Sequence, residues 1–322
     1  DGDGYGNPDQ IQYNCLQPPN YIQIGLDCND QQYSINPEGT EVCNGLDDDC
    51  DGHWDVGQLG LDILCPASSC KDIQTVDPNL DDGLYFINIE NHPSASCSDG
   101  LYINQSDCEA AATCSDPSFT TETECSVANE TWSPRWGVIE ELQCDMGSFA
   151  GGWTLVFSDD MSPPDPNWTL QQTSLCGSWG EILGGYGVIS GPNHSNGGEF
   201  SNIIGTRGIE HTELWVEMDY ITLDSWDDIN DPVHGPDMAY VGFNGNDEED
   251  YFWHTDVDNH LSIYGQVCGW SGPQIYTQDS RHYVSTIETG YFPQISIYVG
   301  STLSQHPYDE SFGLDNVYVW VR

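Results

Sequence analysis

The chain has 322 residues, 37% hydrophobic and 11% aromatic, enough for two or three domains with real cores. It carries 53 acidic residues against 5 basic ones, a net charge of −48. That balance excludes a nucleic-acid-binding face, argues against an anionic membrane, and makes a compact state repel itself unless divalent cations or a salty medium screen it.

Residues 1–58 hold two acidic loops in one register. In the second, Asp47, Asp49, Asp51 and Asp55 fall at loop positions 1, 3, 5 and 9, with Gly52 at position 6. That is the D-x-D-x-D-G spacing of a calcium loop, where alternate residues point oxygens inward and glycine permits the sharp turn. In the first, Asp1, Asp3, Gly4 and Asn7 take positions 3, 5, 6 and 9. Its position 1 would lie two residues before Asp1, so the chain is expected to begin inside a loop. Position 12 is Gln10 in one loop and Gln58 in the other, and no amphipathic helix flanks either, so these are not EF-hands. Asp27, Asn29 and Asp30 are candidate helpers, and calcium is the expected ion. The competing reading is a solvated acidic run.

The 13 cysteines include no C-x-x-C pair, which favours disulfides in an oxidising compartment over zinc. An odd count leaves one thiol over, and Cys65 is the candidate. Cys15, Cys28, Cys43 and Cys50 are expected to staple residues 1–58, a segment with too little apolar pattern to hold itself. Its carrying residues are Asp1-Gly2-Asp3-Gly4-Tyr5-Gly6, Asp27-Cys28-Asn29-Asp30 and the run from Glu41 to Gly52. On these it resembles the cysteine-rich metal-binding repeats of secreted bacterial and protist surface proteins, which implies a location more than an activity.

In residues 65–160, Leu84-Tyr85-Phe86-Ile87 and Trp153-Thr154-Leu155-Val156-Phe157 read as strands, with Gly151-Gly152 as a turn. Ser69-Cys70-Lys71-Asp72-Ile73, Asp82-Gly83-Leu84-Tyr85, Gln143-Cys144-Asp145-Met146 and Gly151-Gly152-Trp153 come in an order similar to the start of a fibrinogen-like domain, nearest the intelectin lectins. The resemblance implies a Cys70–Cys144 disulfide. It ends near residue 160, so no sugar-binding residue is carried over from it. A polar insertion, 93–135, interrupts it with Cys97, Cys108, Cys114 and Cys125, and two capped turns there could each start a short helix.

Residues 172–322 alternate like a β-sandwich, with strands expected at 213–221, 238–243, 294–299 and 316–321. Cys176 and Cys268 are expected to pair. Ile182-Leu183-Gly184-Gly185-Tyr186, Leu223-Asp224-Ser225-Trp226-Asp227 and the run from Asp309 to Asn316 resemble a jelly-roll module of secreted protist and bacterial surface proteins. Asp224, Asp227, Asp309 and Asp315 are a second candidate metal group, set against turn capping by aspartates. Trp253 and Trp270 are candidate sugar platforms, with core packing as the competing reading. Asn104, Asn129, Asn167 and Asn193 open N-x-S/T sequons and permit glycosylation.

No H-E-x-x-H, G-x-S-x-G, P-loop or dinucleotide fingerprint occurs, so no enzyme is expected. The expected fold is mainly β, multidomain and disulfide-rich: a calcium-loop segment, a fibrinogen-like subdomain and a C-terminal jelly roll. The expected function is an extracellular or cell-surface structural and adhesion protein, partnered by copies of itself, other surface proteins or glycans, and in one version a filament or sheath subunit. A calcium-dependent lectin is the second reading and a carbohydrate-active enzyme the third.

Overall fold

A computed structural model describes residues 2–63, 65–89, 96–97, 113–114, 132–133, 136–193, 198–224, 226, 237–244, 251–256, 267–268 and 279–322. The two turns of the insertion expected to start helices lie outside these. The chain is mainly β and divides into two compact units. The first comprises Asp1–Thr154, Arg207–Ile209 and Arg322; the second comprises Leu155–Thr206 and Glu210–Val321.

In the first unit, residues up to Pro66 form turns with no regular element among those described. A short helix follows, α1 (Cys70–Val76), started by Ser69, whose side chain accepts the Asp72 N–H. Strand β1 (Gly83–Ile89) buries alternate residues, Tyr85, Ile87 and Ile89. Three two-residue strands lie in the insertion: β2 (Ser96–Cys97), β3 (Thr113–Cys114) and β4 (Trp132–Ser133). Strand β5 (Trp136–Asp145) pairs antiparallel with β1, from Gly83 opposite Cys144 to Ile89 opposite Val138. The Cys70–Cys144 disulfide, the pair implied by the fibrinogen-like resemblance, ties α1 to β5. Trp153, fully buried at the start of β6 (Trp153–Asp159), lies under the Arg322 guanidinium, 4.9 Å from the ring centroid.

The second unit continues with β7 (Thr173–Leu175), β8 (Glu181–Gly184), β9 (Glu199–Gly205), β10 (Glu213–Asp224), β11 (Met238–Phe243), β12 (Tyr251–Asp256), β13 (Ser280–Thr289), β14 (Gln294–Ser301) and β15 (Glu310–Val321). One sheet runs β8–β15–β10–β13, with β7 beyond β8; the other runs β12–β11–β14–β9. Successive strands from β8 onward cross between the two sheets except at the β11–β12 hairpin, which is the winding of a jelly roll. Ring contacts show that the sheets face each other. Phe312 of β15 stacks on Tyr220 of β10 and Phe200 of β9, with centroids 5.5 and 5.7 Å away, and the Tyr220 hydroxyl donates to the Gly300 carbonyl of β14 at 2.9 Å.

By strand alternation Val216 and Tyr220 of β10 enter this core, while Trp215, Glu217, Asp219 and Ile221 face outward. At one end the outward face is capped by the Cys176–Cys268 disulfide packed with Ile182, Ile221 and Leu223. The Ile182–Tyr186 motif has a steric reason: Gly184 has φ +80°, and a Cβ there would sit 2.8 Å from the Ile189 side chain.

Candidate metal centre

Residues 27–55 are built around carboxylates. Asp47 accepts the N–H groups of Asp51 and Gly52 at 3.0 and 2.9 Å, so the residue at loop position 1 closes the turn through positions 5 and 6. Asp49 accepts from Asp51 at 3.2 Å and Asp51 from His53 at 2.8 Å. These bonds curl the chain so that alternate side chains point to one side, and Gly52 takes φ +95° in the turn. Gly39 is held by space, since a Cβ there would fall 2.0 Å from the Asp48 carbonyl oxygen.

The loop closes on Glu41, which sequence reasoning did not single out. One Glu41 carboxylate oxygen accepts the N–H of Asp48 at 2.8 Å and of Asp49 at 3.3 Å, and the other accepts from Asp55. Ligand oxygens of Glu41, Asp47 and Asp49 lie within 4.8 Å of one another, the one acidic grouping of metal-binding compactness among the described residues. Burial pushes the Glu41 carboxyl up against the opposing pull of its three N–H donors. The available signal was a glutamate just before the Val42-Cys43 step.

Asp51 and Asp55, expected as ligands, are not part of this trio. Asp55 is buried and accepts from Asn44 and Gly45 at 2.8 and 2.9 Å, so its carboxylate braces the loop entrance. Two disulfides clamp the region, Cys28–Cys50 and Cys43–Cys65, each closing 22 residues and each contributing about 3 kcal/mol by loop entropy. Cys65 is therefore not the odd thiol. It is buried and bonded, and exposed Cys15 is the free cysteine among the described residues.

The first loop meets its expected helpers. Asp27 donates its N–H to the Gly6 carbonyl at 3.3 Å, and its carboxylate, 1% exposed, accepts from Asn29 at 2.8 Å. Burial raises the Asp27 carboxyl, and the nearby charges of Asp3 and Asp30 raise it further. Asp3 and Asn7 accept the N–H groups of Tyr5 and Asp9, each at 2.8 Å. Asp1 lies outside the described residues.

The candidates in the second unit do not form one group. Asp224 ends β10, buried, opposite buried Glu310, and its N–H donates to Asp279 at 3.2 Å. Asp309 is exposed and lies near Tyr186, as Asp224 does. Asp315 is elsewhere, opposite Asp219, and both carboxylates bind Arg281, at 3.2 and 2.5 Å. Burial outweighs the Arg281 charge and pushes the Asp315 carboxyl up to about 6. Asn167 and Asn193 are exposed in turns. Asp227, Trp270, Asn104, Asn129 and the side chain of Trp253 lie outside the described residues.

Residues 27–55 match the family model "Cu-binding_MopE: Putative metal-binding motif". No curated protein matches the chain. Three solved structures resemble about half of it: the mannan-recognising carbohydrate-binding module TmCBM27 (14% identity, TM-score 0.31, 53% of this chain and 98% of that one), the CBM22-1 xylan-binding domain of Paenibacillus barcinonensis Xyn10C (10%, 0.26, 52% and 94%), and the K3 cleaved adhesin domain of Lys-gingipain from Porphyromonas gingivalis W83 (8%, 0.26, 51% and 98%). At such scores the jelly-roll assignment rests on strand order alone. A stretch of the chain thus carries a metal-binding motif, on a mainly β, disulfide-stapled architecture.

Proposed function

We propose that this chain is a secreted or cell-surface structural and adhesion protein whose acidic segment is ordered by calcium, and that it assembles with copies of itself into an extracellular filament or sheath. The observation that carries the calcium reading is the trio of Glu41, Asp47 and Asp49 oxygens within 4.8 Å, set in a loop closed by Asp47. The donors are hard oxygens, which suit calcium. Copper would call for imidazole or sulfur, but the three cysteines of residues 27–55 are in disulfides and His53 is the one histidine there. Ca²⁺ would be held by Glu41, Asp47 and Asp49 in one loop, and by Asp3, Asp27 and Asp30 near the other, neutralising charge that otherwise drives the segment apart. The disulfides support an extracellular setting. In this reading residues 65–160 are a fibrinogen-like element preceding the jelly roll in the chain.

The test is light scattering and negative-stain imaging of the native protein in calcium and then in excess EDTA. Large particles that dissolve in EDTA are the expected result. A monodisperse protein in both conditions contradicts the assembly reading, and calorimetry showing copper bound in preference to calcium contradicts the ion.

A further inference from the structure

The outward face of the β8–β15–β10–β13 sheet carries a feature that the metal loops do not explain. Between the Arg281–Asp219–Asp315 ion group and the stacked Trp215–Trp320 pair, a cavity of about 190 Å³ is lined by Glu217, Met218, Asp219, Tyr283, Asn316 and Tyr318. It is built by an irregularity in the pairing of β10 with β15, where the register shifts between Glu217 and Asp219. Asn316 sits at this bulge with φ +49° and donates its side-chain amide to Asp219 at 3.0 Å. Such bulges re-aim side chains beside sites. Tyr283 is 63% exposed on β13, the edge strand next to it, an aromatic ring left in water beside the cavity.

We infer that this cavity binds one neutral pyranose ring of a glycan. Tyr283 and Tyr318 offer ring faces for the apolar C–H face of a sugar, and Glu217, Asp219 and Asn316 offer acceptors and an amide for its hydroxyls. The pocket is pre-ordered. Glu217 is held by the Tyr283 hydroxyl and by the Trp320 indole N–H at 3.1 Å, and Asp219 by Arg281 and Asn316. Each carboxylate retains lone pairs beyond those bonds. The same details exclude other ligands. Two carboxylates repel acidic sugars and phosphates. A divalent cation would have to displace Arg281 from Asp219. The volume is below the roughly 300–1,000 Å³ of pockets for larger organic ligands and suits one ring. The site is separate from the calcium loops, so it stands or falls apart from the calcium and assembly readings.

The test is saturation-transfer NMR of the full chain with the methyl pyranosides of glucose, mannose, galactose and xylose, and with methyl glucuronoside as the acidic control. At least one neutral pyranoside is expected to bind and the glucuronoside is not. Tyr283→Ala, which removes an exposed ring, is expected to weaken that binding about tenfold. Glu217→Gln, which keeps the shape, is expected to weaken it about threefold or more by loss of charged acceptors. Cys15→Ser, at an exposed and unbonded position of the other unit, is expected to leave it unchanged. Failure of all four neutral sugars to bind overturns the inference, as does binding of the same strength in folded Tyr283→Ala and Glu217→Gln.

Discussion

The acidic segment and the jelly-roll unit bury opposite kinds of side chain. Among the described residues 2–58, the buried ones are Ile35 and four acids, Asp27, Glu41, Asp48 and Asp55, while Ile11, Tyr13 and Leu16 lie in water. The jelly roll buries Phe200, Val216, Tyr220, Ile297, Phe312 and Val319 between its sheets. One region is organised by carboxylates accepting backbone N–H groups and by disulfides, the other by apolar area removed from water. On the proposed reading, the difference teaches that order in the first depends on the solution, through protons and cations, whereas order in the second depends on packing.

The comparison can be broken hardest in the core. Phe312→Ala removes a fully buried ring stacked on two others and is expected to cost about 3–5 kcal/mol, read by urea denaturation, with calcium binding by the acidic segment retained. The acidic segment has its own weak point. Glu41→Gln keeps the volume but replaces a charged acceptor of three backbone N–H groups, and should cost about 1.5–3 kcal/mol locally. Hydrogen exchange should show protection lost across residues 27–55 and kept in β10 and β15.

Protons should act next. Asp315 is raised to about 6, so between its unfolded value and that value the folded chain holds a proton that the unfolded chain has released. Its stabilising contribution is therefore full below about pH 4, near the unfolded pKa, and is lost as pH rises through about 6, an effect on the order of 2 kcal/mol. Asp27, Glu41 and Asp55 are shifted upward too, by burial first. In EDTA the chain should thus melt higher at pH 5 than at pH 7. Calcium should reverse that order because it needs the ionised carboxylates, and Asp315→Asn should flatten the EDTA profile. The smallest effect is at Cys15, exposed and unbonded, where Cys15→Ser should change stability by less than about 0.5 kcal/mol.

The alternating apolar strands were legible: β1, β6, β10, β11 and β14 sit where period-two patterning placed them. Strand β13, with Arg281, His282 and Tyr283 in sequence, was not, because its outward residues are charged or polar and it is fixed by pairing along β10 from Glu213–Thr289 to Thr222–Ser280. Strand β15 starts six residues earlier than the apolar run beginning at Asn316, since Glu310 and Asp315 are polar residues buried in the ladder. In the metal segment, spacing revealed Asp47 and Asp49, which are local in sequence. Glu41 was missed because it reaches the loop through tertiary closure. The Tyr283 cavity was invisible for the same reason, as its walls come from three strands whose neighbours are set by long-range pairing.

The most direct measurement is calorimetric titration of the EDTA-stripped chain with calcium, repeated on the Asp47→Asn/Asp49→Asn double variant. The account predicts saturable calcium binding in the native chain with at least one site lost in the variant, and hydrogen-exchange protection of residues 27–55 appearing only with the ion. Identical titrations of the two proteins, or full protection of that segment in EDTA, would contradict it.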